Sequence, residues 1–186
     1  MKSLVIFIIL MSSFFGCSVK PVDVAIITIK GSDSMLQLTE NLAEEYMKLN
    51  PGISIYVYGG GTSVGVRALI QNEIDICTAS RNLKPEESKA LADYYGTVGL
   101  FYLVAKDALC IYVNPYNPVK NLTIANLKNI FECKITNWKV LGGKNQKIIP
   151  AIRNLNSGTR IYFQDHVLGG DEYCSEVVTE PTTKSG

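Results

Sequence analysis

A chain of 186 residues is long enough for one ordinary domain or two small ones. With 47% apolar and 19% charged residues it can bury a core, which excludes wholesale disorder. The 18 basic and 17 acidic residues leave a formal charge of +1, which gives no support to a nucleic-acid or anionic-membrane footprint, so any bound anion must be held by local donors.

The chain opens "MKSLVIFIILMSSFFGCSVKP". Lys2 precedes an apolar run over 4–15, too short to span a bilayer and of the form of a secretory h-region. A small residue, Gly16, stands before Cys17, and the pair resembles the lipobox of bacterial lipoproteins. The expectation is a signal peptide over 1–16, lipidation at Cys17 and export to the periplasm or cell surface on a lipid anchor.

Residues 24–29, β-branched and short, predict a buried strand. A helix follows, with Leu38, Leu42, Tyr46 and Leu49 on one face, Ser34 and Gln37 as a capping box, and Asn50-Pro51-Gly52 as the stop. Residues 53–58 alternate as a second strand, and "GGGTSVGVRALIQNE" is a glycine-rich turn entering a second helix. Residues 74–77 predict a third strand, and 85–95 a third helix begun at Pro85 with two glutamates in its first turn. This alternation implies a parallel α/β sheet. "ALCIYVNPYNPVKNLT" then runs extended, broken by Pro115 and Pro118, as a crossover into a second lobe. Beyond it come a helix capped by Thr123, a strand in "KIIPAI", and a helix over 160–168.

Three strand-to-helix turns repeat one device: "GSDS", "GGGTS" and "NSGTR". A helix start offers free N–H groups and the positive end of a dipole, glycine lets a ligand approach the backbone, and hydroxyls add donors. One such turn is an ordinary helix cap. Three of them, with Arg153 ahead of the third, point to a tetrahedral oxyanion held between two lobes. The glycine-rich turn fits neither a P-loop nor a dinucleotide fingerprint, since position 64 is Val where the latter needs Gly. His166 falls about 13 Å along a helix from its start, out of reach of Ser157, which argues against a Ser-His hydrolase. Cys77, Cys110, Cys133 and Cys174 show no metal-ligand spacing and read as buried or free thiols, their pairing open. No metal site and no cofactor are expected. Arg160 reads as a salt-bridging helix residue.

The segments 31–87, 113–138 and 153–168 ("GSDSMLQ…PEE", "VNPYNP…ITNW" and "RNLNSGTRIYFQDHVL") resemble the phosphate-binding proteins of Pst-type ABC importers. The resemblance runs over roughly 24–170. It implies an α/β fold of periplasmic-binding-protein type, two parallel-sheet lobes joined by a hinge, with the second lobe and return crossover incomplete here. The lobes are expected at 17–107 and 108–186. It also implies a binding protein, not an enzyme, with inorganic phosphate as ligand, the permease subunits of a phosphate importer as partners, and no nucleic acid. By position it assigns phosphate contacts to Ser34, the Met35 backbone, Thr62, Ser63, Ser80, Arg153, Ser157, Gly158 and Thr159.

Two departures stand out. Some members of that family carry an acidic residue after the "AS" that closes the third strand, where it accepts a proton from phosphate and excludes sulfate. Here that place is Arg81. Asp33 reads as a solvated or capping aspartate, with a replacement acceptor as the alternative. The sequence also stops at "CSEVVTEPTTKSG", before the chain would return to the first lobe, so the second reading is a truncated, non-transporting surface lipoprotein: a sensor, a scaffold or a degenerate copy.

Overall fold

The structure is a computed structural model and describes residues 24–180. Cys17 and the apolar run before it lie outside the described residues.

Three strands, β1 (Ala25–Gly31), β2 (Ile53–Tyr58) and β3 (Ile76–Thr78), form a parallel sheet in the order β2-β1-β3. Helix α1 (Leu36–Leu49) joins β1 to β2, and α2 (Thr62–Ile70) joins β2 to β3. Because β2 and β3 flank β1 on opposite sides, right-handed crossovers put the two helices on opposite faces of the sheet. Helix α3 (Pro85–Tyr95) packs on α2, and its Tyr95 hydroxyl donates to Leu69 O at 2.8 Å. Strand β3 starts two residues later than its apolar run suggests, because its pairing with β1 begins at Ile29↔Ile76.

Two expectations for α1 fail. Ser34 does not cap it: residues Asp33–Met35 form a 3-10 turn, Met35 is the capping position, and Gln37 bonds Asn41 instead. The stripe Leu38, Leu42, Tyr46 and Leu49 is exposed by 41–80%. The helix instead buries Thr39 and Ala43, while Met47, one turn further, receives the Ile55 N–H on its sulfur. Small side chains allow a closer approach to β2 than leucines would. Periodicity identifies a face but not which neighbour covers it.

Residues 96–123 form neither helix nor strand, and every residue from 93 to 116 is exposed. This segment leads to a second unit. Helix α4 (Ile124–Phe131) is capped by Thr123, whose hydroxyl receives the Asn126 N–H at 3.1 Å, as its sequence suggests. Strand β4 (Ala151–Arg153) pairs in parallel with β5 (Val178–Glu180). Helix α5 (Gly158–Phe163) runs between them and widens into a π-turn over Gln164–Leu168. That widening puts residues five apart on one face, so Phe163 and Leu168 are both fully buried. They pack with Leu127, Ile130, Phe131, Ile148 and Ile152, and the Phe131 and Phe163 rings lie 4.6 Å apart. Cys133 and Cys174 form a disulfide across this core, where buried or free thiols were expected and pairing was left open. Their separation of 41 residues carries no motif; docking of the segment before β5 against the end of α4 brings them together, through Cys174 N–H to Phe131 O at 3.0 Å.

Phe163→Ala should lower unfolding free energy by about 3–5 kcal/mol through the cavity it leaves. Urea denaturation followed by circular dichroism reads this directly.

Candidate functional site

The three turns of the first unit and the turn after β4 all lie at the carboxyl ends of parallel strands, where open α/β sheets place ligands. They meet across one cleft. Asn156 O sits against the glycine-rich turn and accepts the Ser63 N–H at 3.2 Å. A Cβ on Gly61, whose φ is +96°, would lie 2.5 Å from that oxygen, so both the backbone conformation and the approach require glycine. Gly158 is the second such place: its α-carbon abuts the hydroxyls of Thr62 and Ser80, and a Cβ would lie 2.5 Å from Thr62 Oγ1.

Thr62 is fully buried. Its oxygen accepts the Ser80 N–H at 3.2 Å and lies 3.3 Å from Ser80 Oγ. Its own proton can rotate to donate either to Ser80 Oγ or into the cleft. Ser34 Oγ lies 2.9 Å from Ser32 Oγ. Ser157 is buried at the start of α5, with Gly158 and Thr159 following in its first turn. Two of the expected positions are already engaged: the Met35 N–H donates to Ser32 O at 3.2 Å, and Ser63 Oγ receives a bond from Arg81 at 3.2 Å.

Arg153 lies in the middle of this cleft. Its Nη2 donates to Asp33 Oδ2 at 2.8 Å, joining the end of β4 to the end of β1, with side chains 12% and 20% exposed. Asp33 is therefore not a solvated aspartate. Its other oxygen receives the Gly60 N–H at 2.7 Å. Arg153 Nε and Nη1 are buried and have no partner among the described residues. A buried guanidinium with unpaired N–H groups carries a desolvation cost that an anion would remove. Arg160 supports it from behind: Nη1 donates to Arg153 O at 3.1 Å, and the guanidinium lies over the Tyr173 ring at 4.3 Å. Arg160 thus makes a cation–π contact with the Tyr173 ring where a salt bridge was expected. Burial pushes the Tyr173 hydroxyl up to about 12, so it stays protonated as a donor to Arg160 O.

Behind Ser63 sits a second buried cation. Arg81 is 5% exposed and pairs through both terminal nitrogens with Glu87, each at 2.8 Å. Burial pushes the Glu87 carboxyl up, but the Arg81 bonds and the Lys84 N–H outweigh it and hold it below its ordinary value. The pair was not anticipated from sequence. A glutamate six residues after an arginine, across a Pro-started helix, is the signal that could have found it. His166 stacks on Tyr162 at 3.9 Å and joins none of these groups.

Residues 18–185 match the model of the PBP superfamily domain. The chain belongs to this superfamily. Its fold is the periplasmic-binding-protein-like α/β fold with parallel sheets. The phosphate-binding protein PstS of Bacillus subtilis is 35% identical over 162 residues, covering 86% of this chain and 51% of that one. That of Pseudomonas aeruginosa is 30% identical over 167 residues, covering 83% and 52%. Among solved structures, a substrate-binding protein with bound phosphate from Clostridium perfringens superposes with a TM-score of 0.76 at 33% identity, over 85% of this chain and 63% of that one. An ABC-type phosphate transport receptor from Vibrio cholerae gives 0.64 at 30% identity, over 86% and 64%. The chain spans about half the length of the curated relatives it matches.

Gly158→Ala should force the two units apart, because the new methyl overlaps Thr62 and Ser80. Small-angle scattering should show a larger radius of gyration; an unchanged profile would contradict this packing. Glu87→Gln should cost about 3–5 kcal/mol near neutral pH by leaving Arg81 buried and uncompensated. A lowered carboxyl value stabilises the fold above the ordinary glutamate value of 4.5 and ceases to do so as pH falls through the folded value. The gap between wild type and variant in chemical denaturation should therefore narrow on acidification.

Proposed function

We propose that this chain captures inorganic phosphate between its two lobes and delivers it to an ABC importer, without chemistry on the ligand. The observation that carries the reading is Arg153: a buried guanidinium with two unpaired nitrogens, at a cleft where four strand ends present hydroxyls and helix starts. The names of the relatives at 30–35% identity agree with it.

In this reading Arg153 makes the charge-assisted contact. Ser34, Thr62 and Ser80 donate from the first lobe. Ser157, Gly158 and Thr159 donate through hydroxyls and main-chain N–H groups at the start of α5. Met35 shapes the wall, since its N–H is already engaged by Ser32 O, while Ser63 Oγ, which accepts from Arg81, keeps its own proton to donate. The lobes are taken as 17–107 and 108–186, moving about the exposed connecting segment so that closure completes the donor set. Export, a lipid anchor at Cys17 and permease subunits as partners belong to the same proposal. The reading as a non-transporting surface lipoprotein has no observation of the cleft in its favour, since a scaffold needs no unpaired buried cation.

Isothermal titration of phosphate into the folded protein tests this. Saturable heat is expected, and Arg153→Ala should weaken binding by about 2–4 kcal/mol, since it removes the charge facing a desolvated anion. Equal affinity in the variant would sink the assignment.

A further inference from the structure

We infer that the buried pair Arg81–Glu87 is a positioning device for the anion cleft: it holds the Ser63 hydroxyl so that its proton is aimed at the bound oxyanion. The inference rests on the phosphate reading above. It adds to the same cleft two residues that act through a third.

Three observations carry it. Ser63 lies in the first turn of α2, and its main-chain N–H donates to Asn156 O of the second unit at 3.2 Å, so it sits where the two units meet. Its Oγ accepts from Arg81 Nη2 at 3.2 Å. Arg81 is in turn engaged at every other terminal N–H: Nη1 donates to Glu87 Oε2 and to Asn82 O, and Nη2 to Glu87 Oε1, each at 2.8 Å. Glu87 is anchored as well, because Oε2 also accepts the Lys84 N–H at 2.8 Å where α3 begins. A continuous line of bonds thus runs from the start of α3 through Glu87 and Arg81 to Ser63. The two charged side chains in it are 5% and 15% exposed, so water competes little for them.

The consequence follows from the chemistry of a hydroxyl. Ser63 Oγ carries one proton and two lone pairs, and the Arg81 cation occupies one of those pairs. The proton is left to donate elsewhere, and an oxygen that accepts from a cation is polarised into a stronger donor. Without that bond a serine near a helix start turns readily to neighbouring backbone groups instead. The charges of the pair cancel, so it adds orientation to the cleft and no net attraction for anions. As a purely stabilising element it is a poor choice, since apolar residues of similar volume serve a core as well.

The experiment titrates phosphate calorimetrically into the wild-type protein, into Ser63→Ala, into a chain carrying Arg81→Met together with Glu87→Gln, and into one carrying all three changes. Removing both charges at once leaves no uncompensated ion buried. Ser63→Ala should weaken binding about 10- to 100-fold, the loss of one hydrogen bond to a charged group. Arg81→Met with Glu87→Gln should weaken it about tenfold, yet cost no more than about twofold once Ser63→Ala is present, since a pair acting through that hydroxyl is fully coupled to it. Losses that multiply would overturn the inference, by assigning Arg81 to the fold at large or, through its buried and unpartnered Nε, to the anion directly. Wild-type affinity in Ser63→Ala, or in the chain without the pair, would overturn it too. Should the chain without the pair fail to fold, Arg81→Lys takes its place in the same cycle: it keeps a cation opposite Glu87 but lacks the fork that reaches Ser63. The same outcomes then decide. A wild-type protein that takes up no phosphate would overturn the phosphate reading, and this inference with it.

Discussion

The ion pair between Arg153 and Asp33 joins the end of one parallel sheet to the end of another, across 120 residues of chain. Its geometry organises the cleft. One nitrogen of the guanidinium is committed to the first unit, and two remain unpaired in a buried setting. A buried cation with one carboxylate partner is half satisfied, and the low dielectric around it makes the remainder costly. The glycines at 61 and 158 allow this arrangement, because any side chain there would hold the two units apart.

The two units are built differently to serve that contact. The first is a three-stranded sheet with helices on opposite faces, and its strand ends supply hydroxyls at fixed positions. The second is a two-stranded sheet over a phenylalanine-centred core, braced by the Cys133–Cys174 disulfide. Arg160 and Tyr173 connect that core to the backbone of Arg153, so the cleft cation is mounted on the core of its unit.

Much of this was legible in the sequence for identifiable reasons. Four of the five strands, α3 and the Thr123 cap follow from local chemistry: β-branched runs, Pro85 at a helix start, a hydroxyl three residues before Asn126. Three of the four turns of the cleft were legible because glycine and hydroxyl residues cluster where strands pass into helices; the turn after β3, which carries Ser80, has no glycine and was placed only by resemblance. What depended on distant partners was not legible. Asp33 looks solvated until Arg153 arrives from the other unit. Arg81 reads only as a departure from an acidic position until Glu87 meets it. The stripe from Leu38 to Leu49 has the spacing of a buried face, yet α1 docks through Thr39 and Ala43. Cysteine pairing, likewise, is a property of the packed core and not of spacing.

The thiols differ in a way that can be used. Cys133 and Cys174 are bonded to each other, and burial pushes the Cys77 thiol up to about 11, which leaves it protonated and shielded. Cys110 is exposed and lies on the segment between the two units. Among the described cysteines the chain thus offers one sulfur open to a maleimide dye, seated on the exposed tether between the two units. A dye there would make the proposed approach of the two units on ligand binding visible as a change in fluorescence.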